Sequence, residues 1–236
     1  IYKREEISDF NPEFLKKNVE SWKGKWDLNF GGDLAQQKFV SPSKYIFLLN
    51  YARIYKDNEV LQHVKKTLDV ISSSGLNDFI EGGFYRYTVD NEWKIPHFEK
   101  MLYDQAQMIS LYSLAFKVFK DEYYKNIAIE TIDFLNSNMV SKDGLYFAAM
   151  DADTDGEEGK YYSFQKEELE KLKAEQKGET EKVEETEEKL TDFENIAYFY
   201  DLNTKSNFKI DEKNNGKFDK TIDVFSKFSP AAHFLT

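Results

Sequence analysis

Two segments decide how this chain is read: Gly82-Gly83-Phe84-Tyr85-Arg86-Tyr87-Thr88-Val89-Asp90 and Asp143-Gly144-Leu145-Tyr146-Phe147-Ala148-Ala149-Met150-Asp151. Gly83 with Gly144, Tyr85 with Tyr146 and Asp90 with Asp151 fall into register at a common offset of 61 residues. Each segment follows a pair of helical patterns. Before the first, Ser41-Pro42 opens a helix with Tyr45, Leu48, Leu49, Ala52 and Tyr55 at three- and four-residue spacing, and Asp57-Asn58 ends it. Its partner carries Val60, Leu61, Val64, Leu68 and Ile71 and stops at Ser72-Ser73-Ser74-Gly75. Before the second, a helix from about Pro96 to Phe119 turns at Lys120-Asp121 into one carrying Tyr124, Ile127, Ala128, Thr131, Ile132 and Leu135. A helical hairpin cannot bury its own apolar face, so repeated hairpins stack and their loops collect on one rim. The fold class is therefore all-α: repeated antiparallel helical hairpins with short β-like glycine-aromatic loops on one rim. Upstream, Asn11 caps a short helix to Trp22 with Pro12 at its first position, and Gly31-Gly32 breaks the pattern.

Composition narrows the function. With 236 residues, 41% hydrophobic and 32% charged, the chain can bury a sizeable core, and no apolar run approaches the roughly 20 residues of a membrane span. The net charge of −11 argues against nucleic acid and anionic membranes as partners. The chain has no cysteine, which removes disulfides, thiol catalysis and thiolate zinc sites, and no cofactor is expected. Twenty Phe and 15 Tyr supply faces that stack on sugars, although rings serve more often as core. Ile1 is not followed by a basic and then an apolar stretch, so no signal peptide is expected, and a cytoplasmic location is. Three stretches are distinguished: a helical-hairpin segment over 1–163, a charged flexible segment or exposed helix over 164–190, and a last helix with an irregular tail over 191–236.

The chemistry-bearing stretch is Trp93-Lys94-Ile95-Pro96-His97-Phe98-Glu99-Lys100-Met101-Leu102-Tyr103-Asp104-Gln105-Ala106. On a helical wheel, Phe98, Met101, Leu102, Ala106, Ile109, Tyr112 and Phe116 share an apolar arc, and His97, Lys100, Asp104 and Gln107 form a polar stripe beside Glu99 and Tyr103. Gln105 falls inside the apolar arc, where an amide must find partners, so it is expected to anchor a neighbouring loop. Asp151-Ala152-Asp153-Thr154-Asp155-Gly156 matches the first half of a calcium loop, but Tyr162 stands where the motif requires Glu, so a plain acidic turn without metal is expected. Gly82-Gly83 lacks the third glycine of a dinucleotide fingerprint.

Glu81-Gly82-Gly83-Phe84-Tyr85-Arg86-Tyr87 and Pro96-His97-Phe98-Glu99-Lys100-Met101-Leu102-Tyr103-Asp104-Gln105-Ala106 resemble the spermatogenesis-associated, thioredoxin-domain-containing proteins. The likeness continues through Asp151-Ala152-Asp153 to Glu157-Glu158-Gly159-Lys160-Tyr161-Tyr162, more loosely to Tyr198-Phe199-Tyr200-Asp201-Leu202, and covers roughly residues 30 to 216. Gly31-Gly32-Asp33 to Lys38-Phe39 is similar to a worn copy of the family's glycine-rich loop. The resemblance implies part of an (α/α)6-type toroid similar to N-acylglucosamine 2-epimerases and six-hairpin glycosidases, with a thioredoxin-like domain or the other half of the toroid as partner. It implies a small-molecule sugar and acid/base chemistry, or else a non-catalytic scaffold or ligand-binding module. On the first reading His97, Glu99, Asp104, Asp151 and Asp153 are the catalytic candidates, with Glu99 or Asp104 opposite Asp151 or Asp153 as the two carboxyls a glycosidase needs. Tyr85, Arg86, Trp93 and Tyr103 are the substrate-binding candidates. All nine are expected on one rim, with Arg86 paired to a carboxylate.

Overall fold

The computed structural model describes residues 11–164 and 223–224. The expectations for the charged segment and the C-terminal tail therefore lie, apart from residues 164 and 223–224, outside the described residues. Five helices are described: α1 (Pro12–Lys23), α2 (Pro42–Tyr55), α3 (Asn58–Ser72), α4 (Leu102–Phe119) and α5 (Glu122–Asn138). Local chemistry sets most of their ends. The side chains of Asn11, Asp57 and Asp121 accept from the first-turn amides of α1, α3 and α5. Pro42 begins α2, but Ser41 sits in a left-handed conformation and its hydroxyl does not cap the helix.

α2 packs between α3 and α4, and α4 packs in turn on α5, so two hairpins stand side by side. Their shared core holds Leu48 and Leu49 of α2, Val60, Val64, Leu68 and Ile71 of α3, Leu111, Tyr112 and Ala115 of α4, and Tyr124 and Ile127 of α5. Tyr112 also donates from its hydroxyl to the Leu68 carbonyl, tying the hairpins together at 2.9 Å. Two sequence expectations change. α4 begins at Leu102 rather than near Pro96, because Pro96–His97 and Lys100–Met101 are paired as short strands. Its buried face is Gln105, Met108, Leu111, Tyr112 and Ala115, whereas Ala106 is exposed, since α2 and α5 cover both its flanks. On α5, Ile132 faces solvent and Phe134 takes the buried position.

The rim is built from short antiparallel strands. β1 (Lys38–Phe39), β2 (Tyr87–Thr88) and β3 (Pro96–His97) form one sheet in that order. Registers Phe39↔Tyr87↔His97 and Lys38↔Thr88↔Pro96 put alternate residues on opposite faces. The second row is buried; the first is exposed or half-buried. β4 (Lys100–Met101) pairs with β5 (Ala149–Met150), β6 (Asp153–Thr154) with β7 (Glu157–Glu158), and β8 (Ser163–Phe164) with β9 (Asp223–Val224). The acidic stretch is thus the Asp155-Gly156 turn of the β6–β7 hairpin.

The loops after α1 and α3 share a plan that the sequence reading missed. In each, an Asp is followed after three residues by Gly-Gly. The Asp27 amide donates to the Gly32 carbonyl and Gly31 donates back to Asp27; Asp78 exchanges the same two bonds with Gly83 and Gly82. Each Asp then pairs with a fully buried lysine. Lys38 Nζ reaches Asp27 Oδ2 at 2.5 Å and the Gly31 carbonyl at 2.7 Å. Lys100 Nζ reaches Asp78 Oδ2 at 2.7 Å and the Gly82 carbonyl at 2.9 Å. Aromatic rings close both cages: Trp93 and Phe30 around Lys38, Phe134, Tyr85 and Tyr162 around Lys100. Lys100, read in sequence as part of a polar stripe, is instead a buried structural ion paired with Asp78. Burial draws its ammonium below the ordinary lysine range, against the pull of Asp78.

Candidate functional site

Tyr85 and Arg86 lead into strand β2, and Gln105 of α4 clamps the backbone of Phe84 just before them. The Gln105 side chain is completely buried, accepts from the Phe84 amide at 2.8 Å and donates to the Phe84 carbonyl at 2.6 Å, as the misplaced amide on the helical wheel suggested. Gln105→Leu should therefore cost about 2 to 3 kcal/mol in chemical denaturation, because two buried backbone groups lose their partners.

Next to this clamp lies a cleft of about 220 Å³. Its walls come from Phe39, Val40, Ser41 and Pro42 at the start of α2, Phe84, Tyr85 and Arg86 before and in the β2 region, and Tyr103, Asp104, Gln107 and Met108 of α4. Four of the nine expected site residues, Tyr85, Arg86, Tyr103 and Asp104, line it. Ser41, Gln107, Phe39 and Met108 were not among the site candidates; the one available signal was that Gln107 shares the polar side of α4 with Asp104.

The other candidates have different positions. Trp93 is fully buried, donates from its indole to the Phe30 carbonyl at 3.0 Å and packs against Gly32 and Lys38, so it offers no ring face to a ligand. Glu99 is paired to Arg86 at 2.9 Å, the partnership expected for that guanidinium, and the pair raises the Arg86 pKa. His97 stacks on Tyr87, its Nδ1 is 2.5 Å from Glu158 Oε1 and its Nε2 is 3.9 Å from Glu99. Asp151 and Asp153 are exposed in and beside the β6–β7 hairpin and do not line the cleft. The hairpin still joins the rim, because Glu158 meets His97 and Gly159 packs on Phe98. Tyr85 gives its hydroxyl to Asp78 at 3.1 Å, and burial raises its pKa well above the ordinary value.

Asp104 stands apart chemically. Its Oδ2 is buried without a hydrogen-bond partner among the described residues. Burial moves its pKa from 3.8 up to about 6, with Arg86 opposing the shift and Glu99 adding to it. A carboxyl with a raised folded-state pKa favours the fold most below its unfolded pKa, and this advantage is lost as pH rises through about 6. The full two-unit shift is worth about 3 kcal/mol, which partial exposure and solvent screening reduce to about 1 kcal/mol. Asp104→Asn should accordingly gain about 1 kcal/mol over the native chain at pH 7.5 and lose that margin near pH 4, as thermal melts across pH will show. No group of three or more His, Asp or Glu side chains among the described residues is arranged to hold a metal.

No protein-family model matches the chain. It is 32% identical over 202 residues to spermatogenesis-associated protein 20 of Mus musculus, a match covering 81% of this chain and 25% of that protein. The chain belongs among the homologues of spermatogenesis-associated protein 20. The protein of the same name from Homo sapiens is 34% identical over 157 residues, 62% of this chain and 20% of its own length. The chain thus spans about a quarter or less of the curated relatives it matches. Among solved structures, a sugar epimerase from a ruminal bacterium superposes with TM-score 0.51 at 20% identity, covering 62% of this chain and 42% of that one. Cellobiose 2-epimerase from Bacillus thermoamylovorans gives TM-score 0.50 at 14% identity, covering 59% and 40%. These likenesses establish a shared helical fold. No helix among the described residues is long and apolar enough to cross a membrane.

Proposed function

We propose that this chain forms the cleft-bearing part of an (α/α)6 toroid and acts on a carbohydrate there by acid/base chemistry, with Asp104 as general acid. The observation that carries this reading is the Asp104 carboxyl: it lines the cleft, has one oxygen without a partner among the described residues, and is pushed up by burial to a pKa of about 6. At neutral pH such a group is close enough to its pKa to give and recover a proton. Beside it, Arg86 is already matched by Glu99, so the site pairs an acid near its titration point with a carboxylate committed to an ion pair. Tyr103, Gln107 and Ser41 add groups able to hydrogen-bond sugar hydroxyls. The epimerases of similar fold support a sugar as ligand, although fold alone does not determine function. A second reading, a sugar-binding module without turnover, is favoured by the same Arg86–Glu99 pair, because the ion pair occupies one of the two carboxyls that a glycosidase would place at the site.

The test uses the whole chain. Mono- and disaccharides are screened by thermal shift, and ligands that stabilise it are incubated and followed by NMR for epimerised, isomerised or cleaved product. The expected result is turnover that Asp104→Asn lowers by about 10²- to 10⁴-fold while binding persists. Binding without turnover selects the module reading; no stabilisation by any saccharide overturns both.

A further inference from the structure

We infer that Phe39 is the stacking platform of this cleft and that its ligand is a pyranose ring lying with one C–H face on the Phe39 ring, an inference that rests on the carbohydrate reading above. The sheet β1-β2-β3 places Phe39, Tyr87 and His97 in one row across three strands. The rings stack in sequence, Phe39 on Tyr87 at 4.6 Å and Tyr87 on His97 at 4.9 Å, each pair tilted by 23°. The far end of the row is held by Glu158 on His97 Nδ1. A three-ring ladder fixed in this way has one free end.

That end is Phe39. One of its faces is covered by Tyr87, yet the residue is 53% exposed, and it lines the cleft that holds Asp104. What distinguishes Phe39 from other exposed apolar side chains is its place: it lies outside the core, is held by the ladder and lines a cleft bearing hydrogen-bonding groups. A pyranose matches both kinds of surface, with C–H groups on one face and hydroxyls around its edge. An open-chain polyol with the same hydroxyls has no such face to offer. The cleft is smaller than the roughly 300 to 1,000 Å³ typical of drug-sized ligands, which suits one sugar ring.

The test compares the native chain with Phe39→Ala and Phe39→Trp, titrated with glucose, N-acetylglucosamine and the open-chain glucitol. Native protein should bind a ring sugar and ignore glucitol. Phe39→Ala should weaken ring-sugar binding about tenfold while costing the fold only the Phe39–Tyr87 stack, because the ring it removes is half in solvent. Phe39→Trp should restore binding and add a sugar-dependent change in indole fluorescence. A native chain that binds ring sugars as well as Phe39→Ala does, or binds glucitol equally, overturns this inference and leaves the proposed function standing. A native chain that binds no ring sugar defeats the proposed function itself, and this inference with it.

Discussion

Replacing Lys100 with Met will destabilise the fold by about 3 to 5 kcal/mol, the cost of leaving a buried carboxylate without its counter-ion. Lys100 is completely buried, and the Asp78 side chain is only 3% exposed. Asp78 Oδ1 accepts from the Ile80 and Glu81 amides, and its Oδ2 takes the ammonium and the Tyr85 hydroxyl. Met fills a similar volume among Tyr85, Phe134 and Tyr162 but brings no charge, so the loss is electrostatic rather than a cavity. Adding Asp78→Asn to Lys100→Met should recover part of the stability, since the amide keeps an oxygen for Ile80 and Glu81 and carries no charge. Urea denaturation of the two single variants and the double variant measures the coupling. A cost below about 1 kcal/mol for Lys100→Met would show that the pair does not hold the rim.

Gly83→Ala should cost about 2 to 4 kcal/mol, and Gly144→Ala only about 1 kcal/mol, although the two glycines are equivalent in the repeat. Their backbones are nearly identical, with φ of +76° at Gly83 and +78° at Gly144, so the left-handed strain imposed by a side chain is common to both. The surroundings differ. A Cβ on Gly83 would lie 2.5 Å from the Phe134 ring, the ring that also covers Lys100, whereas a Cβ on Gly144 meets nothing within 4 Å. The difference between the two melting curves therefore isolates the packing of Phe134 from the conformational cost. Equal losses at the two positions would mean that Phe134 yields freely and that the Lys100 cage is loose.

Together these variants and Asp104→Asn separate two kinds of polar burial on the same rim. Lys100, Asp78 and Gln105 are buried and satisfied, and removing any of them should cost stability. Asp104 is partly buried and its Oδ2 has no hydrogen-bond partner among the described residues, so removing its charge should raise stability, and on the proposed function it should also lower turnover, the expected trade-off for a group held away from its preferred state.

The sequence by itself determined the helical hairpins, because apolar spacing and capping residues such as Asn11, Asp57 and Asp121 act within a few residues of one another. It also determined the register of Gly83 with Gly144 and the anchoring role of Gln105, since an amide on an apolar face has few ways to be satisfied. The start of α4 was hidden, because Pro96 suits a helical first turn as well as the β-strand that Thr88 imposes on it from a different part of the chain. Burial of Lys38 and Lys100 was hidden for the same reason: a lysine reads as surface until a carboxylate 11 or 22 residues away closes on it. Which candidates shared the cleft was decided only by tertiary structure. Trp93, Glu99 and Asp104 look alike as rim candidates in sequence, and only long-range packing buries the first, pairs the second and leaves one oxygen of the third without a partner among the described residues.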